Sequence, residues 1–359
     1  MASDRAVTPP PFPPPEDAGG WPYAGSSADV EISAWKLDLA LGRAAEESGA
    51  HSFGVVIVRG GVLVAEAYSR NVASRTRFDL WSCTKSFTAL AWGMLLADPD
   101  VTTPAGDPIA LDTPAYPLIP EAYPLSDPRK EQITIRHLLT MASGIKGESI
   151  GAGGMPTSTR TGIFEYGFGH APNRFGQWVD TLSHDPGSGW DYSDPGYTHL
   201  AWAFSAVAGR ELAEYLEERL FSRIGVEAAW ELQGGSGFLG PRTNAHTGLH
   251  MSGRDLARVG HLLLHGGEWD GAQLVPREWI EKATSPSQAY WPTYGYGFWT
   301  NATGDWLPGV PRDLFLLAGY GGNRCYVIPS QDLVVVRVGN GPERSDESSL
   351  LTDVLDAVL

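Results

Sequence analysis

Cysteine is scarce in this chain. Its 359 residues include two, Cys83 and Cys325, which are too few for a disulfide framework, and neither has metal-finger spacing. No run of about 18 apolar residues is present to cross a bilayer. The first residues, Met1 to Arg5 followed by Pro-rich sequence, lack the apolar core of a signal peptide, so a cytoplasmic location is expected. Basic residues are few, 26 against 42 acidic ones, and the net charge of −16 makes nucleic acid and anionic membranes poor partners. A Gly-x-Ser-x-Gly elbow, a phosphate loop and a His-Glu-x-x-His helix are all missing, which leaves nucleotide-binding, zinc-protease and α/β-hydrolase chemistry unsupported. No internal repeat is visible.

What is present is ordinary for a globular protein: 42 % apolar and 19 % charged residues, in a chain long enough for one large domain or two interleaved ones. Prolines at 9, 10, 11, 13, 14 and 15 bar a helix, so residues 1–27 read as a tail, surface-bound or disordered, with little to bury. Residues 31–48 read as an amphipathic helix with Ile32, Trp35 and Leu39 on one face. Two β-rich runs, Ser52 to Arg59 and Val62 to Tyr68, flank Gly60-Gly61, a strong hairpin signal. Helix is expected from Ser82 to about Leu96, loop over 101–131, and a short helix opened by Thr134 and stopped at Gly144. Residues 145–175 show no period and read as a functional or mobile loop. Trp190 to Tyr197 reads as a turn-rich loop, followed by helix from Thr198 to about Leu220. A capping box at Ser252 to Asp255 opens another helix. Strands are expected at Tyr294 to Thr300, Phe315 to Ala318, Arg324 to Pro329 and Leu333 to Val338, then a closing helix from Ser345.

Strands near both ends with helices between them predict an α/β (α+β) fold: one antiparallel sheet flanked by helices, with a mostly helical region inserted. The expected division is a Pro-rich tail over 1–27, a sheet domain from 28–80 and 245–359, and a helical domain over 81–244.

Ser82 and Lys85 lie three residues apart where an extended segment gives way to an apolar helical run. At i and i+3 they share a helix face, so hydroxyl and ammonium can meet. A lysine held against a serine and shielded from water loses proton affinity and can act as its base. Taken alone, the pair reads first as a helix N-cap and a solvated first-turn lysine. Two further stretches accompany it. Pro186 to Tyr197 sets Tyr192 in a tight loop, and Gly319-Tyr-Gly-Gly-Asn-Arg-Cys opens a strand with little side-chain bulk, where a substrate can approach the backbone. Cys83 reads as a small buried residue, and His261 with His265 as a solvated or packed helix face without a third metal ligand.

In this order and spacing the three stretches resemble the serine β-lactamase and penicillin-binding-protein superfamily, and its class C and esterase-like branch in particular. The likeness extends over roughly residues 35 to 355 and is supported by Ile133 to Gly144 and His246 to Gly267. The resemblance implies a β-lactamase/transpeptidase-like fold and no metal or cofactor. It implies Ser82 as the acylated nucleophile and Lys85 with Tyr192 as the proton-transfer pair, Tyr192 being expected partly anionic beside the ammonium. The backbone N–H groups of Ser82 and Asn323 would form the oxyanion hole. Tyr320-Gly321-Gly322 would stand where the family has Lys-Thr-Gly, and Asp194 where it has the Asn of Tyr-x-Asn, both lining the substrate with Trp190.

Two positions depart from that pattern. Asp194, when ionised, can only accept hydrogen bonds. Tyr320 removes the charge that would hold a penicillin or D-alanine carboxylate, a loss of roughly 1.5–3 kcal/mol. The expected substrate is therefore a neutral ester or small amide with an apolar acyl part, held in a Trp-rich cleft around Trp81, Trp190, Trp291 and Trp299. Acyl transfer to an amine or alcohol is the alternative; β-lactam or D,D-peptide cleavage and a silent binding protein rank below it. The oligomeric state is left open.

Overall fold

The computed structural model describes residues 12–147, 163–172, 178, 180–233, 240–341 and 349–359. Most of the 145–175 stretch therefore lies outside the described residues. The part that is described includes a helix, Ile163–Phe168, where loop was expected.

A six-stranded sheet organises the chain. Its order is Trp299–Thr300, Phe315–Gly319, Asn323–Ile328, Leu333–Gly339, Phe53–Arg59, Val62–Tyr68, and every neighbouring pair is antiparallel. Gly60 and Gly61 both take positive φ (58° and 74°), the left-handed geometry of a tight hairpin turn that glycine adopts without strain. The two ends of the chain meet at the centre, where Val56 sits opposite Val336.

Central strands are apolar on both faces because both are covered. One face packs the helices Ala34–Ser48 and Ser349–Ala357 over Val55, Ile57, Val335 and Tyr326. The other packs the helix Gly253–Leu264 and, beyond it, the helical half of the molecule. Each fully buried Val of the central strands contributes on the order of 1.5–3 kcal/mol.

Several boundaries differ from the sequence reading, each for a local reason. The first helix buries Leu37, Ala40 and Ala44, while Trp35 and Leu39 are 67 % and 51 % exposed. Small side chains let that face approach the sheet closely, and Ile32 joins the core through a separate bridge to Val358. Tyr294 to Thr300 is a strand only at Trp299–Thr300; before it Gly297 turns the chain at φ 76°. The short helix opened by Thr134 ends at Leu139 rather than near Gly144. The helix expected from Thr198 begins at Asp194, capped by Ser193, and stops at Gly209 in the left-handed conformation.

The proline-rich segment also buries more than its composition suggests. From residue 12 it lies along the helix Gly253–Leu264, where Arg258 donates to Pro13 O (2.8 Å) and Pro14 O (2.5 Å), and Arg254 pairs with Glu16 (2.9 Å). Trp21 is 2 % exposed. Beneath this segment His261 and His265 pack edge-on, centroids 4.4 Å apart, against Phe12, so the helix face is packed rather than solvated. Burial lowers the His261 imidazole to about 3, with His265 and Arg258 adding to the shift. An unfolded histidine takes its proton near pH 6.5. Stability from His261 is thus fully present above pH 6.5 and is lost as the pH falls from there toward 3, about 5 kcal/mol at most. The melting temperature of His261→Leu is expected to fall less between pH 7 and pH 4 than that of the parent; equal falls would rule out this histidine as the source.

Candidate active site

The helix Thr84–Leu96 is buried at every position from Thr84 to Leu95, as expected of a helix apolar on all sides. Its polar side chains bind neighbouring backbone. Ser86 Oγ donates to Gly297 O (2.6 Å), Thr88 Oγ1 to Ala245 O (2.7 Å), and Thr84 Oγ1 accepts from Leu249 N (3.2 Å). These bonds fix the helix start against two loops, one of which carries His246.

Ser82 lies in the 3-10 turn Trp81–Cys83 that leads into this helix. Trp81 has φ 49°, a left-handed conformation that costs a bulky residue about 1–3 kcal/mol. Two contacts hold it there. Asp79 Oδ1 accepts from Trp81 N at 3.0 Å, and the indole meets the Tyr320 ring edge-on at 5.3 Å. Burial pushes the Cys83 thiol up to about 12, which makes it an inert core residue.

Lys85 is 1 % exposed, and its Nζ lies 2.9 Å from Ser82 Oγ, 3.0 Å from His246 O and 2.6 Å from Asp194 Oδ1. The structure thus turns Asp194 onto Lys85 rather than toward a substrate, because residue 194 is the first of a helix whose N-terminus favours a carboxylate. Burial opposes ionisation of Asp194, yet the Lys85 ammonium, aided by His246, holds the carboxyl below its ordinary value. The ion pair in turn stabilises Lys85 as an ammonium.

Tyr192 stands over the same nitrogen, its ring centroid 4.9 Å from Lys85 Nζ. The expectation that its hydroxyl is partly anionic is overturned. Burial, with the Asp194 charge beside it, pushes the phenol well above 10, and the hydrogen bond to Ser82 offsets only part of this. The ammonium that was to favour the phenolate is already matched by a carboxylate.

The Gly319 to Asn323 segment divides differently from its sequence reading. Tyr320–Gly322 is a hairpin turn, with Gly321 and Gly322 at φ 75° and 76°. A Cβ on either glycine would point at Gly339 or Arg337, whose guanidinium donates to both carbonyls. Gly319 meets the backbone of the nucleophile turn, its Cα facing Leu80 O and Cys83 N. Asn323 is fully buried, and its side chain serves as a clamp. Nδ2 donates to Tyr320 O (2.6 Å) and Gly339 O (3.1 Å), while Oδ1 accepts from Gly339 N (3.0 Å).

An aromatic wall completes the cleft. Trp190 stacks on Trp291 (4.7 Å, 12°), and Tyr192 lies nearly parallel to Trp299 (6.2 Å, 20°), with Tyr294 edge-on between them. Trp291 is 43 % exposed, so the wall opens to solvent. Trp81 belongs to the opposite side, beside Tyr320. Sequence reasoning missed Tyr294 and the His246 carbonyl; no motif marks either, and only the fold brings them to residue 192 or Lys85. Among the described residues one group could hold a cation, Asp79, Glu231 and His250, with ligand atoms within 4.8 Å of one another. Its His250 and Glu231 already pair at 3.0 Å.

The site is thus a half-buried Ser82 and Tyr192 around a buried Lys85, at the start of a core helix and beside the antiparallel sheet. The beta-lactamase family model matches residues 37–359. The chain belongs to the beta-lactamase family. A 6-aminohexanoate-dimer hydrolase of Paenarthrobacter ureafaciens is 27 % identical over 202 residues, 51 % of this chain and 50 % of that protein. The chain thus matches about half the length of that relative. Two solved structures share the beta-lactamase-family fold at lower identity. A Bacillus anthracis protein provisionally named a 6-aminohexanoate-dimer hydrolase has a TM-score of 0.71 at 22 % identity, covering 96 % of this chain and 88 % of its own. EstCE1, a hydrolase with promiscuous acyltransferase activity, has 0.68 at 16 %, covering 93 % and 100 %. Among the described residues no helix is long and apolar enough to cross a membrane.

Proposed function

We propose that this beta-lactamase-family hydrolase cleaves a carboxylic ester or small amide through an acyl–Ser82 intermediate. The observation that carries this reading is the buried Lys85 Nζ 2.9 Å from Ser82 Oγ. Lys85 and Tyr192 move the proton between nucleophile and leaving group. The backbone N–H of Ser82 and one from the Gly319–Asn323 segment receive the developing oxyanion. The absence of a lysine at Tyr320 and the aromatic wall favour a neutral substrate with an apolar or planar acyl part. The likeness to the 6-aminohexanoate-dimer hydrolase of Paenarthrobacter ureafaciens supports a small-molecule substrate of that kind. The proposed partner is a small molecule, and the proposed location the cytoplasm.

Intact-mass detection of an acyl adduct across p-nitrophenyl esters, anilides and β-lactams tests the reading. An adduct on Ser82 with esters or anilides is expected; its absence with every substrate would remove the mechanism. Trp190→Ala is expected to raise KM for aryl esters about tenfold, the loss of one stacked apolar face, with kcat little changed. A large fall in kcat without a change in KM would show that the wall is not a binding surface. EstCE1 favours a second reading in which an alcohol or amine intercepts the acyl group. Transfer product outrunning free acid when acceptors are added would select it.

A further inference from the structure

Ser82 can attack only if its proton has somewhere to go, and the two obvious acceptors are occupied. Lys85 sits in an ion pair 2.6 Å from Asp194 Oδ1, and an ammonium has no lone pair with which to accept a proton. Tyr192 is buried and neutral, since burial and the Asp194 charge both oppose its ionisation. Among the described residues the Asp194 carboxylate is a basic site within reach of Ser82 Oγ: Lys85 Nζ lies 2.9 Å from that oxygen and forms the 2.6 Å ion pair with Asp194 Oδ1.

We propose that Asp194 is the proton store of this site, taking up the Ser82 proton by way of Lys85. The inference rests on Ser82 being the acylated nucleophile. As Ser82 Oγ bonds to the substrate carbonyl carbon, the carbonyl π pair moves onto oxygen. The Ser82 proton passes to Lys85 Nζ while Lys85 releases one to Asp194 Oδ1, so the lysine remains an ammonium throughout. When the carbon–leaving-group bond breaks, the leaving oxygen or nitrogen takes a proton from Tyr192. Tyr192 is refilled from Lys85, and Lys85 from Asp194, which restores the starting state. Asp194 therefore acts through Lys85 and touches no reacting atom.

The surroundings of Asp194 suit this role. Lys85 faces it from the helix Thr84–Leu96, His246 from the loop before Leu249, Tyr192 from its own approach segment and Tyr294 from the wall. Lys85 and His246 favour the charged carboxylate, and the N-terminus of the helix Asp194–Ala208 adds to them. Burial opposes ionisation and offsets part of that pull, although the carboxyl stays below its ordinary value, so the proton it takes up is readily returned to Lys85.

The pH dependence of kcat/KM on a p-nitrophenyl ester distinguishes this arrangement from one in which neutral Lys85 is the base. The parent enzyme is expected to keep its activity to about pH 5, because Asp194 stays ionised there. In Asp194→Asn the base becomes neutral Lys85, so the acid limb is expected to move up by about two pH units or more, with activity recovering near pH 9–10. Asp194→Glu is expected to return the limb toward that of the parent. An unshifted limb in a folded Asp194→Asn would overturn the proposal. If that variant does not fold, Asp194→Ser carries the same expectation and the same refutation. Intact mass of the parent with the same ester separates the two levels. No Ser82 adduct would defeat the nucleophile reading itself, whereas an adduct with an unshifted limb defeats only the role of Asp194.

Discussion

Ester cleavage by Ser82→Ala is expected to fall to the buffer rate, a loss of about 10⁴-fold or more, because the variant lacks the proposed nucleophile. Cys83, the adjacent thiol, is fully buried with its ionisation pushed up to about 12, and cannot substitute. Lys85→Ala is expected to cost about 10³-fold or more, since it removes the group that touches the Ser82 oxygen and leaves Asp194 as an unpaired buried charge. Steady-state kinetics on a p-nitrophenyl ester, with circular dichroism to verify folding, measures both. Parent-like turnover in either variant would end the acyl-enzyme mechanism.

Gly319→Ala is expected to be nearly as damaging, although it touches no reacting atom. A Cβ at residue 319 would fall inside the van der Waals radius of Leu80 O and crowd Cys83 N. Both are backbone atoms of the nucleophile turn and cannot swing aside. The strand end and the turn must therefore part, and a displacement near 1 Å at such a place costs about 10²-fold in kcat. Gly42→Ala is the control: it lies exposed within the helix Ala34–Ser48 with nothing within 4 Å of the new methyl, and is expected to gain up to about 1 kcal/mol of stability. If Gly319→Ala retained both parent kcat and melting temperature, the tight seam between strand and turn would not constrain the site.

The sheet and the Ser82–Lys85 pair were legible in the sequence because their signals are local. Alternating or continuous β-branched runs mark strands Phe53–Arg59 and Leu333–Gly339, and a three-residue spacing places two side chains on one helix face. Legibility fails where charge and packing are settled by distant residues. Tyr192 was found, but its protonation depends on Asp194 and on burial, which a motif does not report. That Gly321 and Gly322 form a hairpin turn backed by Arg337, with Gly319 at the seam against the nucleophile turn, depends on strand pairing that no local motif reports. The first helix carries apolar residues on two faces, and the sheet selected the one with alanines.

The sheet also imposes an order of events on the making of this protein. Strand Phe53–Arg59 finds its central partner in Leu333–Gly339, nearly the whole chain later, and the Asn323 side chain ties Gly339 to Tyr320. A ribosome releases Ser82, Lys85 and Tyr192 long before those strands emerge. Until they do, the nucleophile turn has no edge to lie against and its Trp81 no reason to hold a strained backbone. Such non-local pairing makes for slow folding. It also means that a nascent chain stalled near residue 300 carries every proton-transfer side chain and no working site.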